Sequence, residues 1–398
     1  MELLDKHNKS DNGEQCWPFP HLRDRHRAPH ALSIADIREQ SDNKNAVDDG
    51  GEHGFLDLFS HNGRSPGAKD TSSLADNGRL GGWRTGGNTG GGRFQPRSRY
   101  AVFVPRSAKP FPSVTLRESG LSAHIEPDRF IPGTFQLIVD GTPQSYIDLD
   151  DPMHLFFEYV QRMGHVIDLI GETGQPLTAV HLGAGAMTLP RYIAHTRPGS
   201  RQQVVELEER LIDLVREHLP LPRYANVRVR NGDAREVLAK LPSGLRGSVD
   251  VVIVDIFRGA RTPAHVTSLE FYRAAVELLS STGIILVNVA DGPPLTFARS
   301  QVSTLGAATA HVAALAEPQV LKGRRFGNIV LVGTAGELPL EWLPRLLAGG
   351  PYPAKVLTGD ELRHFTAGAP IVTDATSVPS PPPARSIFQT RTRGSSER

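Results

Sequence analysis

Between Leu177 and Gly333, six short apolar runs alternate with stretches of helical pattern. The runs are TAVHL, QQVVEL, NVRVR, VDVVIVD, GIILVNV and GNIVLVG. Several are nearly continuous Val, Ile and Leu, which marks strands buried on both faces. Helical patterns fall near 187–196, 207–218, 234–241, 268–280 and 295–307. This alternation predicts an α/β fold: a mostly parallel sheet with helices on both faces. Crossovers in such a sheet are right-handed, and ligands bind at the carboxyl ends of the strands.

The rest of the chain divides around this block. YAVFVP, then FQLIVDG followed by QSYIDLDD, read as short strands, with Asp140-Gly141 as a hairpin signal. Residues 98–164 are therefore expected to form a small β-rich domain plus a linking helix. That helix is expected over 151–164, with Asp150 or Asp151 as N-cap, Pro152 in its first turn and Gly164 as its stop. Residues 165–376 are expected to form the domain built on this sheet. Residues 1–97 read as a disordered extension: seven of the twelve residues 81–92 are Gly. The low-complexity segment 377–398, which contains SPPPARS, is expected to be a disordered tail.

Composition removes several function classes. Lys+Arg is 44 against 43 Asp+Glu, so no basic excess is available for phosphate backbones, and no nucleic-acid partner is expected. Cys16 is the single cysteine, which excludes an internal disulfide and a cysteine-based zinc site. The histidines lack metal-ligand spacing, and no GxSxG elbow or Walker loop is present. No run approaches the roughly 18 apolar residues of a membrane span, and the first residues lack the apolar stretch of a secretory signal. A cytoplasmic protein acting on small molecules, without a metal or a membrane partner, is the expectation.

The strand ends carry the chemistry. The first closes on Gly183-Ala184-Gly185, a tight turn that lets a ligand approach the backbone, or a plain βα turn. Glu206 ends the second strand, 23 residues after Gly183, near the spacing of about 20 expected of an acid on a ribose diol. Its other reading is an exposed acid favoured by the following helix dipole. Asp233 ends the third, placed either to receive an adenine amino group or to cap the next helix. Asp255 leaves the hydrophobic fourth strand, where a carboxylate is costly to bury without a partner. It reads as a ligand or catalytic group, or as an acid satisfied by loop amides. Thr188 stands where a dinucleotide fingerprint wants its third glycine, so three successive acids fit an adenosine-sulfonium ligand better than a nicotinamide.

Several stretches resemble the spermidine synthase family (polyamine aminopropyltransferases), in its divergent bacterial form. They are IVDGTPQSYIDLDDPMHLFFEYV, VHLGAGAMTLPRYIAHTRPGSRQQVVELEERL, NGDAREVL, VVIVDIFRG, TSLEFYRAAVELLSSTGIILVNVADG and RRFGNIVLVG, together covering roughly residues 112–375. The resemblance implies a small N-terminal β-domain before a methyltransferase-like Rossmann domain. It implies transfer of an aminopropyl group from decarboxylated S-adenosylmethionine to an amine in polyamine biosynthesis, with no tightly bound cofactor. Self-association into a homo-oligomer is common in that family. By the same resemblance Gln144 matches the glutamine of the family's N-terminal motif and His154 a contact to the aminopropyl donor. Gly183 and Gly185 match the nucleoside turn, Glu206 the ribose acid, Asp233 with Ala234 the adenine-side pair, and Asp255 the acid that takes the proton of the attacking amine.

The chain departs from that pattern in ways that remove affinity for cations. Ala186 stands where the family has an Asp toward the donor's amino group, and Arg258 replaces a second acid three residues after Asp255. Met153 and Leu155 replace a Tyr and a Glu, and EPQVLKGRRFGN has no acceptor-site Tyr. Arg258, Arg261, Arg324 and Arg325 together would favour an anionic or neutral acceptor, or else form a solvated basic loop. Methyl transfer from intact S-adenosylmethionine, or nucleoside binding without catalysis, are the alternatives.

Overall fold

The computed structural model describes residues 111–350 and 352–383. The extension expected over 1–97 and the YAVFVP strand lie outside these residues. The first described element is an antiparallel sheet of β1 (Val114–Thr115), β2 (Ser122–Pro127), β3 (Thr134–Val139) and β4 (Thr142–Asp148), in that order. Asp140 and Gly141 join β3 to β4 with φ of 49° and 71°. Two positive φ values in a two-residue hairpin are the geometry that Asp-Gly adopts at least cost.

The large sheet holds β5 (Thr178–Leu182), β6 (Arg201–Glu206), β7 (Asn226–Asn231), β8 (Val249–Val254), β9 (Leu279–Asp291), β10 (His311–Ala316), β11 (Gly327–Thr334) and β12 (Lys355–Leu357). Their spatial order is β12-β10-β11-β9-β8-β5-β6-β7. From β7 to β9 all neighbours are parallel, whereas β11, β10 and β12 pair antiparallel. The chain runs outward from β5 to β7, then returns to lay β8 on the other side of β5. The tips of β5 and β8 are thus the point where strand order reverses, which opens a crevice there.

The helices are α1 (Glu158–Asp168), α2 (Thr188–Thr196), α3 (Glu209–His218), α4 (Ala234–Ala239), α5 (Leu269–Val276), α6 (Thr296–Gly306), α7 (Pro318–Leu321), α8 (Leu343–Ala348) and α9 (Gly359–Thr366). One face of the large sheet packs under α4, α5, α6 and α9, the other under α1, α2 and α8. A third cluster joins the small sheet to α3 through Ile125, Leu137, Leu211 and Leu214. Burying each such aliphatic side chain contributes about 1.5–3 kcal/mol, so the small sheet is held mainly by this apolar seam. No helix of the described residues is long and apolar enough to cross a membrane.

Two sequence expectations need correction. The helix expected over 151–164 begins instead at Glu158 and runs to Asp168, with Gly164 inside it. The Asp148 side chain accepts the amides of Asp150 and Asp151, and Asp151 accepts that of Met153. These short side-chain bonds offer the backbone a turn in place of a helix. Gly164 is no stop signal; a Cβ there would stand 2.6 Å from Leu155 Cδ1, so it makes room for a neighbour.

The tail expected from residue 377 starts as ordered structure. Ser380 is fully buried: its Oγ accepts from the Thr262 amide at 2.8 Å, its amide donates to the Thr262 carbonyl at 3.0 Å, and its carbonyl accepts from Arg261 Nε at 2.6 Å. Upstream, Leu269 N donates to Val372 O, and both guanidinium nitrogens of Arg235 reach the Asp374 carboxylate at 2.6 Å. That bidentate pair holds the Asp374 carboxyl down at about 2. Residues 372–380 therefore form a strap along the outside of the loop that leaves β8.

Candidate active site

The crevice at the sheet reversal is a cavity of about 450 Å³, within the roughly 300–1,000 Å³ of small-molecule sites. Its floor is the turn between β5 and α2. Gly183 has φ +96°, and a Cβ there would lie 2.1 Å from the carbonyl oxygen of Asp255. The turn is stitched into its neighbours: Gly183 N donates to Val205 O and Asp255 N to Leu182 O, each at 2.9 Å. Gly185 lies under the small sheet, where a Cβ would meet Ser145 Oγ at 2.5 Å. Ser145 Oγ accepts the Ala186 amide at 3.1 Å, so β4 helps to shape the turn.

The acids at the strand tips occupy distinct settings. Glu206 is no exposed helix-start acid; it lines the cavity, accepting from Ala184 N at 3.0 Å and Glu208 N at 3.1 Å. Burial pushes its carboxyl up, while those amides pull it down. A carboxylate has about four lone-pair sites, so acceptor capacity remains for a ligand hydroxyl. Glu208 also lines the cavity, and its carboxylate takes the amides of Glu118 at 3.0 Å and Ser119 at 2.7 Å. It thereby fastens the β1–β2 loop over the end of β6.

Asp233 caps α4, its Oδ1 accepting from Arg235 N and Glu236 N. Its Oδ2 is bonded to His265 Nε2 at 2.7 Å. The capping role is thus realised, and Asp233, Ala234 and His265 also line the cavity. Replacing Asp233 by Ala is expected to destabilise the protein by about 1 kcal/mol through loss of the cap. Urea denaturation measures this, and a loss of only a few tenths of a kcal/mol would show that the cap contributes little.

Asp255 stands at the tip of β8. Asn288 Nδ2 donates to its Oδ1 at 2.9 Å and the Tyr159 hydroxyl to its Oδ2 at 3.3 Å. Burial pushes the carboxyl above the ordinary range, against the pull of these two donors. The Tyr159 hydroxyl is pushed up as well, first by burial and then by the Asp255 charge, so it acts only as a donor here. A carboxylate held in place by two donors and with a raised proton affinity is suited to receive a proton from a bound group.

Of the residues singled out from sequence, Gln144, Gly183, Gly185, Glu206, Asp233, Ala234 and Asp255 all line this one cavity. His154 is not brought to it. Its Nδ1 lies 3.1 Å from Asp148 Oδ2, in the Asp-rich turn that also delays the start of α1. The four arginines do not form one patch. Arg258 is exposed at the cavity rim and its guanidinium donates to the Glu118 carbonyl; Arg261 holds the strap; exposed Arg324 donates to Gln319 Oε1; Arg325 pairs with Glu317.

Sequence reasoning missed Tyr159, Asn288, Glu208 and His265. Asn288 sits on an otherwise apolar central strand, IILVNV, and that lone polar residue was a usable signal. The other three reach the cavity only through loop and helix placement.

No family model matches the chain. It is 29% identical to the polyamine aminopropyltransferase of Vibrio vulnificus over 145 residues, 36% of this chain and 46% of that protein. It is 27% identical to that of Neisseria meningitidis serogroup A over 181 residues, 45% of this chain and 62% of that protein. The matched part thus spans about half the length of these curated relatives. The crystal structure of a probable spermidine synthase from Corynebacterium glutamicum superposes with a TM-score of 0.60 at 31% identity, covering 68% of this chain and 97% of that one. With the sheet order, the glycine turn and the acids gathered around one cavity, this similarity shows that the chain belongs to the spermidine synthase family.

Proposed function

We propose that the chain transfers an aminopropyl group from decarboxylated S-adenosylmethionine to an amine. The observation that carries this reading is Asp255, whose half-buried carboxylate, held by Asn288 and Tyr159, faces the same cavity as Glu206 and the glycine turn. The residues suit the donor. Gly183 and Gly185 let the turn close against Asp255 and Ser145 with no side chain of its own to obstruct a nucleoside, Glu206 offers acceptors to a ribose diol, and Asp233 with the Ala234 amide suits the base end.

The donor supplies a sulfonium leaving group. The amine nitrogen bonds to the propyl carbon, the C–S bond breaks with its electron pair going to sulfur, and the nitrogen's proton passes to Asp255. A primary amine, with a pKa near ~10, is protonated at neutral pH, so the carboxylate must first hold the ammonium and then accept its proton. Positioning the two cations in line is the remaining task.

Ala186 favours a second reading, methyl transfer from the intact donor. It is buried and apolar where an acid toward the donor's amino group would stand. Calorimetric titration of the purified protein with the decarboxylated donor, the intact donor and the thioether product separates the readings. Tighter binding of the decarboxylated form is expected. Preference for the intact form would support methyl transfer, and binding of none would leave a non-catalytic homologue.

A further inference from the structure

We infer that the amine acceptor is a primary monoamine with an apolar body, not a diamine; this rests on the aminopropyl transfer proposed above. The argument comes from how the cavity divides its acids. Five acidic residues line it: Glu118, Glu206, Glu208, Asp233 and Asp255.

Four of these lie toward the β6 and β7 tips and the β1–β2 loop that closes over them. Glu206 serves the Ala184 and Glu208 amides, and Glu208 serves those of Glu118 and Ser119. Asp233 is divided between the α4 amides and His265. Glu118 is exposed at the rim, and the Arg258 guanidinium bonded to its carbonyl places a positive charge beside it. Glu206, Glu208 and Asp233 are therefore already engaged on the β6–β7 side of the cavity, and Glu118 is met by a cation at the rim.

Among the described residues Asp255 is the only acid in the wall at the β8 tip. Beyond its two donors, Asn288 and Tyr159, the α1 side of the wall is hydrocarbon. Phe157, Val160, Leu189 and Ile253 line the cavity and belong to a single buried cluster, against which Tyr159 packs. The rings of Phe157 and Tyr159 are nearly parallel, with centroids 6.2 Å apart, and the Tyr159 hydroxyl reaches Asp255. That cluster is therefore the wall beside the reacting nitrogen.

The nearest other acids are turned elsewhere. Glu158 faces the Arg162 and Arg325 charges, and Asp291 accepts the amides of Gly292 and Ala298. Neither lines the cavity.

An acceptor that presents one nitrogen to Asp255 thus rests its remaining carbons on Phe157 and Val160. A methyl terminus gains from that contact. A second ammonium loses its water there and meets no carboxylate, an uncompensated burial of charge. In the transfer the monoamine nitrogen gains the propyl carbon, sulfur keeps the C–S pair, and the one proton released leaves through Asp255.

The experiment supplies the full chain with decarboxylated donor and compares n-hexylamine with 1,6-diaminohexane, and n-butylamine with 1,4-diaminobutane, following thioether release. Each monoamine is expected to exceed its diamine in kcat/KM by about 100-fold, a discrimination of the size a site imposes when a polar group is left unpaired. Equal or better use of the diamines would overturn this inference and leave the transfer reading standing. Thioether release with no amine of either class would remove the transfer reading, and the inference with it.

Discussion

Asp255→Asn is expected to lower amine transfer by about 10²–10⁴-fold, the range a positioned general base supplies, while leaving affinity for the thioether product within about twofold. The side chain keeps its shape and its oxygen for the Asn288 donor at 2.9 Å. What it loses is the ability to attract an ammonium and to hold its proton. Single-turnover product formation and calorimetry measure the two effects separately. Unchanged turnover would remove Asp255 from the catalytic role.

Stability gives an independent check on the same variant. Burial raises the Asp255 carboxyl, so the folded state binds this proton more tightly than the unfolded chain does. The stability that follows is complete below the unfolded value and declines as pH rises through the raised one. At neutral pH the charged side chain is therefore a burden to the fold, as expected where function sets the residue. The Asn variant should be at least as stable as the parent at pH 7, and the decline between acid and neutral pH should become shallower. Equal pH profiles of the two melting curves would contradict the raised carboxyl.

The second large effect is expected from Gly183→Ala. The new methyl would have to occupy a point 2.1 Å from the Asp255 carbonyl oxygen, at φ +96°. That neighbour is backbone at the tip of a central strand and cannot swing aside. Left-handed strain costs about 1–3 kcal/mol and overpacking a similar amount. A loss of roughly 3 kcal/mol or more, together with loss of thioether binding, should follow. Gly120→Ala is the control: φ is +73°, but nothing lies within 4 Å of its Cβ position, so only the strain of about 1–3 kcal/mol remains. If the two variants melted within a degree of each other, the close approach of the two strand-end turns would not be present in solution.

The parts of the fold legible in the sequence were those that obey a single local rule. A parallel strand covered on both faces must be apolar throughout, and VDVVIVD and GIILVNV could be little else. The strand His311–Ala316 went unseen because HVAALA is rich in Ala, a strong helix former. Its state is set by antiparallel neighbours on both sides.

The site was legible where a strand end fixes the residue. Glu206, Asp233 and Asp255 follow from counting to the tip. It was illegible where a loop's path decides, as with Glu208 and His265, and where short-range bonding outbid a helix, as around Asp148 and His154. Ser380 shows the same limit: a Ser amid prolines looks unstructured until Thr262 is brought beside it, a contact across more than a hundred residues of chain.

 

The strap described above bears on how the molecule comes into being. The segment around Asp374 and Ser380 leaves the ribosome more than a hundred residues after Arg261 and Thr262, the groups it fastens. Until then the strands can pair and the apolar layers can close, but the loop over the crevice has just its inner ties, such as those to Asp233, Arg235, Gln301 and Glu118. A nascent chain, or one cut before residue 372, would therefore pass through a stage in which the sheet is formed while the loop after β8 is still loosely held.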